Sequence, residues 1–265
     1  MWIDAIGQAH APAAPGFRIV SLVPSLTELL LDLGLRAHVV GRTGFCIHPR
    51  GLVRDIPKVG GTKDVKLERV RKLAPTHAIV NIDENERPTV EALRAFVPNV
   101  VVTHPQAPED NLPLYRLIGG LFGRAPDAEG LCAGLQRELD ACRATAWPPE
   151  RVLYLIWKNP WMTIAADTYI ARTLALVGWQ VPHGPGGERG AARYPVVDLD
   201  AEIARVERVL LSTEPFMFRA HHVDALRARF PSVPVELIDG EMTSWYGSRA
   251  IRGLASLRGY RAARL

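Results

Sequence analysis

Cys46 and His48, two positions apart in the string GFCIHP, are the pair of side chains with the clearest potential for chemistry in this 265-residue sequence. A thiolate and an imidazole are ligands that zinc and softer metals accept. Further ligands would have to come from elsewhere, and His104 and Glu84 are candidates. The alternative is a loop histidine beside a small apolar cysteine. The pair is therefore a candidate metal site or, with a histidine as base, a candidate nucleophile.

Two strings in the second half combine aromatic rings with cations. WKNPWMT contains Trp157 and Lys158, and DGEMTSWYGSR contains Trp245, Tyr246 and Arg249. Ring faces beside a cation suit a planar or anionic ligand, and a guanidinium can bind a carboxylate or phosphate through two parallel hydrogen bonds. The alternatives are core packing of an indole and a helix start with an ion-paired arginine. We expect Arg249 to contact the ligand.

The motifs that commonly mark enzymes are absent from the sequence. There is no G-x-S-x-G, no G-x-x-x-x-G-K-[ST], no G-x-G-x-x-G and no H-E-x-x-H. No catalytic residue is therefore assigned, and we predict a binding protein rather than an enzyme. A two-lobed metallochelatase is the enzyme alternative, because such a fold can place a histidine and a glutamate across a cleft.

Composition and charge narrow the classes of partner. The net charge of +4 and the isoelectric point of about 9.1 are basic, but the cations are spread along the chain among acidic residues. The sequence contains no basic block with interleaved aromatic residues, so it does not predict a nucleic-acid interface. The sequence contains no run of 18 apolar residues, so it does not predict a membrane span. We expect a monomer whose partner is a small-molecule ligand.

The cysteines and the first residues bear on the compartment. Three cysteines without a C-x-x-C pair, Cys46, Cys132 and Cys142, do not form a disulfide framework and fit a reducing compartment. Residues 1–17 lack the basic and apolar regions of a secretory signal. We therefore expect a cytoplasmic protein from the sequence as it stands, or a periplasmic one if a leader has been removed.

The elements that must position these residues repeat along the chain. RIVSLVPSLTELLLDLGL, from residue 18, indicates an apolar strand broken by Pro24 and a helix capped by Ser25 or Thr27. From residue 151 a second strand, proline loop and helix follow. Short apolar strands alternate with helices throughout, which is typical of parallel sheets with crossover helices.

A long amphipathic helix separates the two halves. Leu131, Leu135 and Leu139 recur at helical spacing with charges opposite. The predicted fold is α/β, with two Rossmann-like lobes of parallel sheet joined by this single helix and a ligand cleft between the lobes. The alternative is one continuous doubly wound sheet. The predicted boundaries are an N-terminal lobe at 1–124, a connecting helix at 125–146 and a C-terminal lobe at 147–265.

The chain resembles the class III substrate-binding proteins of ABC importers for vitamin B12, haem and ferric siderophores. The resemblance extends over residues 18–258 and rests on RIVSLVPSLTELLLDLGL, VVGRTGFCIHPR, VGGTKDVKLERVRKLAPTHAIV and RYPVVDLDAEIARVERVLLS. It implies a ligand held between lobes and an ABC permease that docks on one acidic residue of each lobe. Those acids would be Glu68 and Asp200, although acids are also ordinary at helix starts.

Departures from the family pattern bear on the ligand. Phe45 and Tyr194 stand where the family has ring residues, whereas Thr62 stands where a tryptophan is expected. The loops also carry many charges. We therefore expect a small polar or anionic ligand, or one that contains a metal, and assign no certain cofactor. A cytoplasmic relative that binds or senses a metabolite or metal is the alternative function.

Ligands of open α/β sheets bind beyond the carboxyl ends of the strands. The predicted ligand-binding residues are those on the loops expected there. In the first half they are Arg42, Phe45, Cys46, His48, Thr62, Lys63 and Glu84, and in the second half Trp157, Lys158, Tyr194, Glu214, Glu241, Trp245, Tyr246 and Arg249.

Overall fold

The computed structural model describes residues 1–184 and 192–265. These residues fold into two compact units. The first unit comprises Met1–Pro105, Asp110–Leu135 and Tyr246–Arg249, and the second comprises Gln106–Glu109, Gln136–Trp245 and Ala250–Leu265. Within the described residues, no helix combines the length and apolar character needed to cross a bilayer.

The first unit is built on a parallel sheet. Its elements in chain order are β1 (Trp2–Ile3), β2 (Ala9–His10), β3 (Ile19–Ser21), α1 (Pro24–Asp32), β4 (Val39–Arg42), α2 (Arg50–Val53), α3 (Leu67–Lys72), β5 (His77–Asn81), α4 (Arg87–Arg94), β6 (Asn99–Thr103) and α5 (Asn111–Leu121). The sheet order is β4-β3-β5-β6, and all three pairings are parallel. Strand β5 is buried along its whole length, as expected for a parallel strand covered on both faces.

Helix α1 begins at Pro24, two residues before the start that a cap at Ser25 would give. Pro24 occupies the first turn after an extended Val23, and no side chain caps the helix. A proline is tolerated there because its missing N–H has no partner in the first turn. Ser25 and Thr27 therefore lie inside the helix, and the prediction that either one caps it is wrong.

Helix α6 (Ala125–Arg143) is the predicted long helix between the two halves. Its 19 residues correspond to a length of about 28 Å. Cys132, Leu135, Leu139 and Cys142 are buried, in agreement with the amphipathic pattern. The boundary between the two units falls within this helix, after Leu135.

The second unit contains a second parallel sheet. Its elements are β7 (Glu150–Leu155), α7 (Tyr169–Ala175), β8 (Trp179–Gln180), α8 (Leu199–Ile203), β9 (Arg208–Ser212), α9 (Ala220–Arg229), β10 (Val235–Ile238), α10 (Gly240–Ser244) and α11 (Arg249–Ala262). The order is β10-β9-β7-β8, with parallel pairings throughout. The two sheets are separate, so the α/β prediction of two parallel sheets is confirmed and the alternative of one continuous sheet is wrong. The ligand cleft between lobes stays a prediction.

A short segment of the C-terminal half, Tyr246–Arg249, groups with the first unit. The backbone N–H of Gly247 donates to Oδ1 of Asn111 at 2.6 Å, and its carbonyl accepts from the Tyr115 hydroxyl at 2.8 Å. Both partners lie in α5, whose side chains therefore fix this backbone. The predicted C-terminal lobe of 147–265 includes this segment, whereas the structure groups it with the first unit.

The first ten residues form an antiparallel hairpin, β1 with β2, that covers the edge strand β6. The N–H of Ala5 donates to the carbonyl of Val102 at 2.9 Å, and the N–H of Val102 donates to Oδ2 of Asp4 at 3.1 Å. Covering an edge strand satisfies backbone groups that would otherwise be open to another chain. No pattern in residues 1–17 predicted this hairpin.

Candidate functional site

In the first unit, two loops pack together beyond the carboxyl end of β4. The N–H of Gly44 donates to the carbonyl of Gly60 at 2.7 Å. A Cβ added to Gly61 would lie 3.3 Å from the ring of Phe45, so the ring rests on the glycine. Phe45 nevertheless keeps 63% of its surface exposed. Phe45 is thus an aromatic side chain at the strand ends with most of its surface exposed.

The loop after β5 holds the other polar groups of this edge. Lys63 donates to the carbonyl of Asp83 at 3.2 Å, and the Asp83 carboxylate lies 3.4 Å from Nε2 of His104. The amide of Asn85 donates to the carbonyl of Thr62 at 3.0 Å. The structure therefore brings Thr62 and Lys63 to the same strand ends as Asp83 and His104.

Cys46 lies in the core of the first unit. Its Sγ is 3.1 Å from the hydroxyl oxygen of Thr27 and 3.1 Å from that of Thr43. Burial raises the pKa of the Cys46 thiol, and the hydrogen bonds from the two threonines offset only part of this. The thiolate that a metal or a nucleophilic mechanism requires is therefore disfavoured.

His48 is only half buried and has contacts of its own. Among residues 1–184 and 192–265, no three His, Cys, Asp or Glu side chains are arranged to hold a metal ion. The prediction of a metal site at Cys46 and His48 thus lacks a ligand set in the part of the chain that the structure describes.

Arg42, at the end of β4, is buried and bonded to the main chain. Its Nε donates to the carbonyl of Val53 at 2.9 Å, and a terminal nitrogen donates to the carbonyl of Thr43 at 3.0 Å. A guanidinium used in this way anchors α2 and the loop after β4. The geometry supports a structural role for Arg42 rather than the predicted contact with a ligand.

Arg249 is also buried, in an ion pair with Glu28 of α1. Its Nε donates to Oε2 at 2.7 Å and its second terminal nitrogen donates to Oε1 at 3.0 Å. This is the bidentate geometry predicted for Arg249, but the carboxylate belongs to the protein. Recognition of an anionic ligand by Arg249 therefore stays a prediction.

Tyr246 and Glu84, both predicted ligand residues, contact each other in the first unit. The buried Tyr246 hydroxyl donates to Oε1 of Glu84. Burial raises the pKa of Tyr246 well above its ordinary value, and the neighbouring Glu84 carboxylate raises it further. The phenol therefore stays protonated and acts as a hydrogen-bond donor to this carboxylate.

In the second unit, the turn after β7 presents Trp157. Its indole meets the ring of Phe216 edge-on, with centroids 5.6 Å apart and planes at 72°, yet 40% of Trp157 is exposed. The Nζ of Lys158 lies 5.9 Å from the centroid of Trp161. Met217, next to Phe216, is also exposed. Phe216 and Met217 were not predicted, although both follow β9 and are apolar residues in a loop.

Glu214, after β9, accepts hydrogen bonds from two residues of the α10 region. The Ser244 hydroxyl donates to its Oε1 at 2.5 Å and the Trp245 indole N–H donates to the same oxygen at 2.8 Å. Burial raises the pKa of Glu214, and the neighbouring Glu241 carboxylate adds to that rise. The structure thus brings Glu214, Glu241 and Trp245 together, with the indole as a positioning contact.

A buried hydroxyl network lies beneath this group. The Tyr154 hydroxyl is 2.6 Å from the Thr243 hydroxyl and donates to the Ser212 hydroxyl at 3.0 Å. Burial raises the pKa of Tyr154, so the phenol is neutral. Sequence reasoning missed this network, and its signal was a tyrosine inside an otherwise apolar strand.

Tyr194 is the third predicted ring with a large open surface, at 38% exposed. The guanidinium carbon of Arg193 lies 6.0 Å from its ring centroid, and Arg193 is 3.4 Å from the Asp167 carboxylate. Phe45, Trp157 and Tyr194 are therefore predicted site residues that combine an aromatic side chain with exposure.

The two predicted docking acids are on the surface of their respective units. Glu68 is in the first turn of α3 and lies 3.8 Å from Arg71. Asp200 is in the first turn of α8 and accepts a hydrogen bond from Arg229 at 2.5 Å. These contacts suit ordinary acids at helix starts, so docking by Glu68 and Asp200 stays a prediction.

Comparison with known proteins gives a consistent family. The model of the family described as periplasmic binding protein matches residues 19–183. A vitamin B12-binding protein of Vibrio campbellii is 24% identical over 219 residues, which cover 77% of this chain and 73% of the relative.

Solved structures share the fold. A periplasmic vitamin B12-binding protein of Vibrio cholerae superposes with a TM-score of 0.80 at 15% identity and covers 93% of this chain and 96% of its own. A periplasmic haem-binding protein of the same organism gives a TM-score of 0.76 at 21% identity, with coverage of 92% and 98%. A haem-binding protein of Roseiflexus gives 0.75 at 21%, with coverage of 93% and 98%.

Proposed function

The chain belongs to the periplasmic binding protein family, and from this premise we propose that it is the substrate-binding component of an ABC importer for a large ring-containing metal complex. Vitamin B12 and haem are the two ligands of this kind that its relatives bind. In this role the chain performs no catalysis. The metal arrives inside the ligand, so the protein needs no metal-binding side chains of its own.

Exposed aromatic side chains at strand ends carry this proposal. Phe45, Trp157 and Tyr194 have 63%, 40% and 38% of their surface open. Large apolar side chains in open positions cluster at surfaces that bind ligands or partners. Each ring offers a flat face with little conformational entropy to lose, which suits contact with a macrocycle.

Two arginines form hydrogen bonds to groups of the protein itself, which argues against a small anionic ligand. Arg42 and Arg249 motivated the anionic prediction, and both guanidinium groups are bonded inside the first unit. Lys63 and Lys158 remain as cations on the strand-end loops. Two flexible cations suit carboxylate or amide groups at the periphery of a macrocycle better than they suit tight enclosure of a small anion.

The half-buried acid Glu214 supports the same ligand class. Its raised pKa and its contact with Trp245 make this region neutral or acidic. The ionised carboxylate repels a free anion, whereas in either state the carboxyl can hydrogen-bond to the substituents of a metal complex.

The permease is the second part of the proposal. Glu68 and Asp200 would supply one acidic anchor each. Their ion pairs with Arg71 and Arg229 are exposed and are therefore weak, so an arginine of a partner could replace either cation at little cost.

The proposal is tested by native mass spectrometry of the protein purified from its own host, followed by calorimetric titration with cyanocobalamin, haemin and citrate. We expect a mass increment of a macrocyclic complex and binding of cyanocobalamin or haemin in the micromolar range or tighter. Citrate should not bind. Binding of citrate with no response to either macrocycle would contradict the proposal.

A further inference from the structure

A groove of about 640 Å³ lies in the first unit on the face of β5 and β6 that α4 covers in part. The N-terminal hairpin forms its other wall. Its lining contains none of the residues assigned above to the ligand of the proposed function. We propose that this groove, called here the β6 groove, is a second binding site that accepts a small amphiphile with one carboxylate and an aliphatic tail.

The floor and walls of the β6 groove are aliphatic. Val80 and Val102 form the floor from the ends of β5 and β6, and Val90 projects from α4. Ile6 of the hairpin and Ile82 of the loop after β5 line it as well, and both are exposed. Burying the exposed surface of Ile6 and Ile82 against an aliphatic tail is favourable in proportion to the apolar area covered.

The rim of the β6 groove carries two arginines and one carboxylate. Arg87 donates to Glu91 at 2.8 Å, so this pair is close to neutral. Arg94 donates to the side-chain amide oxygen of Gln8 at 2.8 Å. That acceptor carries no charge and leaves the arginine's positive charge in place. One net positive charge beside an aliphatic floor is complementary to a carboxylate at the end of an apolar tail.

The frame of the β6 groove is fixed before any ligand binds. The Asn85 side chain donates to the carbonyl of Leu22 and accepts from the N–H of Asn81. On the opposite wall, Asp4 accepts hydrogen bonds from Ile6, Gln8 and Val102. A preformed concave site of a few hundred cubic ångströms, mostly apolar with few polar groups, is typical of small-ligand binding.

The test uses decanoate as the probe, with decanol as its uncharged counterpart, titrated calorimetrically into the full chain. Ile6→Asp places a charge on the apolar wall at an exposed position, and Arg94→Gln removes the uncompensated cation. Arg116→Gln is the matched control, because this exposed arginine of the same unit pairs with Glu129 away from the groove.

We expect decanoate to bind to the wild-type chain and to Arg116→Gln equally. Ile6→Asp should lower the affinity by about tenfold or more, and Arg94→Gln should lower it by about threefold. Decanol should bind more weakly than decanoate by about the same threefold.

Two results would overturn the assignment. One is absence of decanoate binding at millimolar concentration to the wild-type chain. The other is unchanged affinity in Ile6→Asp together with a loss in Phe45→Ala, which would move decanoate to the strand-end loops. The proposed function does not depend on either result, because it is tested by binding of cyanocobalamin and haemin rather than of decanoate.

Discussion

The guanidinium of Arg249 and the carboxylate of Glu28 form a two-bond ion pair, at 2.7 and 3.0 Å, between positions 221 residues apart in the sequence. The two side chains are only 2% and 5% exposed. Such a pair holds the start of α11 to α1 within the first unit. Removal of one partner deprives the other buried charge of this two-bond contact, which is costly for a buried ion pair.

Arg249→Ala should therefore lower the free energy of unfolding by about 3–5 kcal/mol, as measured by urea denaturation. Removal of both charges with apolar residues, Arg249→Met with Glu28→Leu, should recover most of that loss. Arg116→Ala serves as the control, since its partner Glu129 is exposed and little change is expected. Full stability of Arg249→Ala would mean that the pair is not formed in solution.

Glu150 organises a corresponding network in the second unit. It accepts hydrogen bonds from Arg208 at 2.8 Å, from Arg261 at 2.5 Å and from the indole N–H of Trp179 at 2.9 Å. Glu150→Ala would remove the carboxylate that binds the buried Arg261, while Arg208 would keep Glu236, so we expect a loss of about 3–5 kcal/mol in the free energy of unfolding.

The matched control for Glu150 is Glu207→Ala, because Glu207 pairs with the exposed Arg151. Urea denaturation of the two variants should give clearly different midpoints. Equal midpoints would show that the network contributes no more than a surface ion pair.

The state of Cys46 gives a prediction about thiol chemistry. Burial raises its pKa, so the thiolate should be scarce at pH 8 and reaction with Ellman's reagent should be slow. All three thiols, Cys46, Cys132 and Cys142, are buried and free and should react fully after unfolding. Added Zn²⁺ should leave the melting temperature unchanged. Rapid reaction of native Cys46, or a rise in melting temperature with Zn²⁺, would restore the metal or nucleophile interpretation.

Glu214 gives a prediction about pH. Its pKa is raised from the ordinary 4.5, so the folded state favours the protonated carboxyl. The stability from this proton is complete below the unfolded pKa and is lost as the pH rises through the folded pKa. Glu214→Gln keeps an oxygen for Ser244 and Trp245 without this titration. The variant should therefore gain stability relative to the wild type as the pH rises above 4.5.

The measurement is urea denaturation of both proteins at several pH values, with the difference between them as the readout. Other titrating groups are common to the two proteins and cancel in that difference. A difference that stays constant with pH would show that Glu214 titrates as an ordinary glutamate.

The strands, the long helix and the exposed aromatic residues could be predicted from the sequence because each depends on a local sequence pattern. Apolar runs such as the one in β5 predict buried parallel strands, and Leu131, Leu135 and Leu139 predict the face of α6. Phe45 and Tyr194 were chosen because they stand where the resembled family has ring residues, and Trp157 because it follows a predicted strand; all three retain exposed surface.

The contacts of the charged residues could not be predicted from the sequence in the same way. A sequence shows that Arg249 is an arginine after a helix start, but it does not show that Glu28 supplies the carboxylate from 221 residues away. Burial of Cys46 likewise depends on Thr27, which belongs to α1. Tertiary packing decides which group a polar side chain contacts. The role of a charged residue can therefore be assigned only when the fold is known.

The central claim is that exposed rings at strand ends bind a macrocyclic metal complex, and calorimetric titration of Phe45→Ala and Trp157→Ala with cyanocobalamin and haemin tests it most directly. Ile3→Ala, an exposed apolar residue of the N-terminal hairpin, is the control. Each ring variant should bind the preferred macrocycle about tenfold more weakly, with an unchanged melting temperature, while Ile3→Ala should match the wild type. Wild-type affinity in both ring variants, or no binding of either macrocycle to the wild type, would contradict the account.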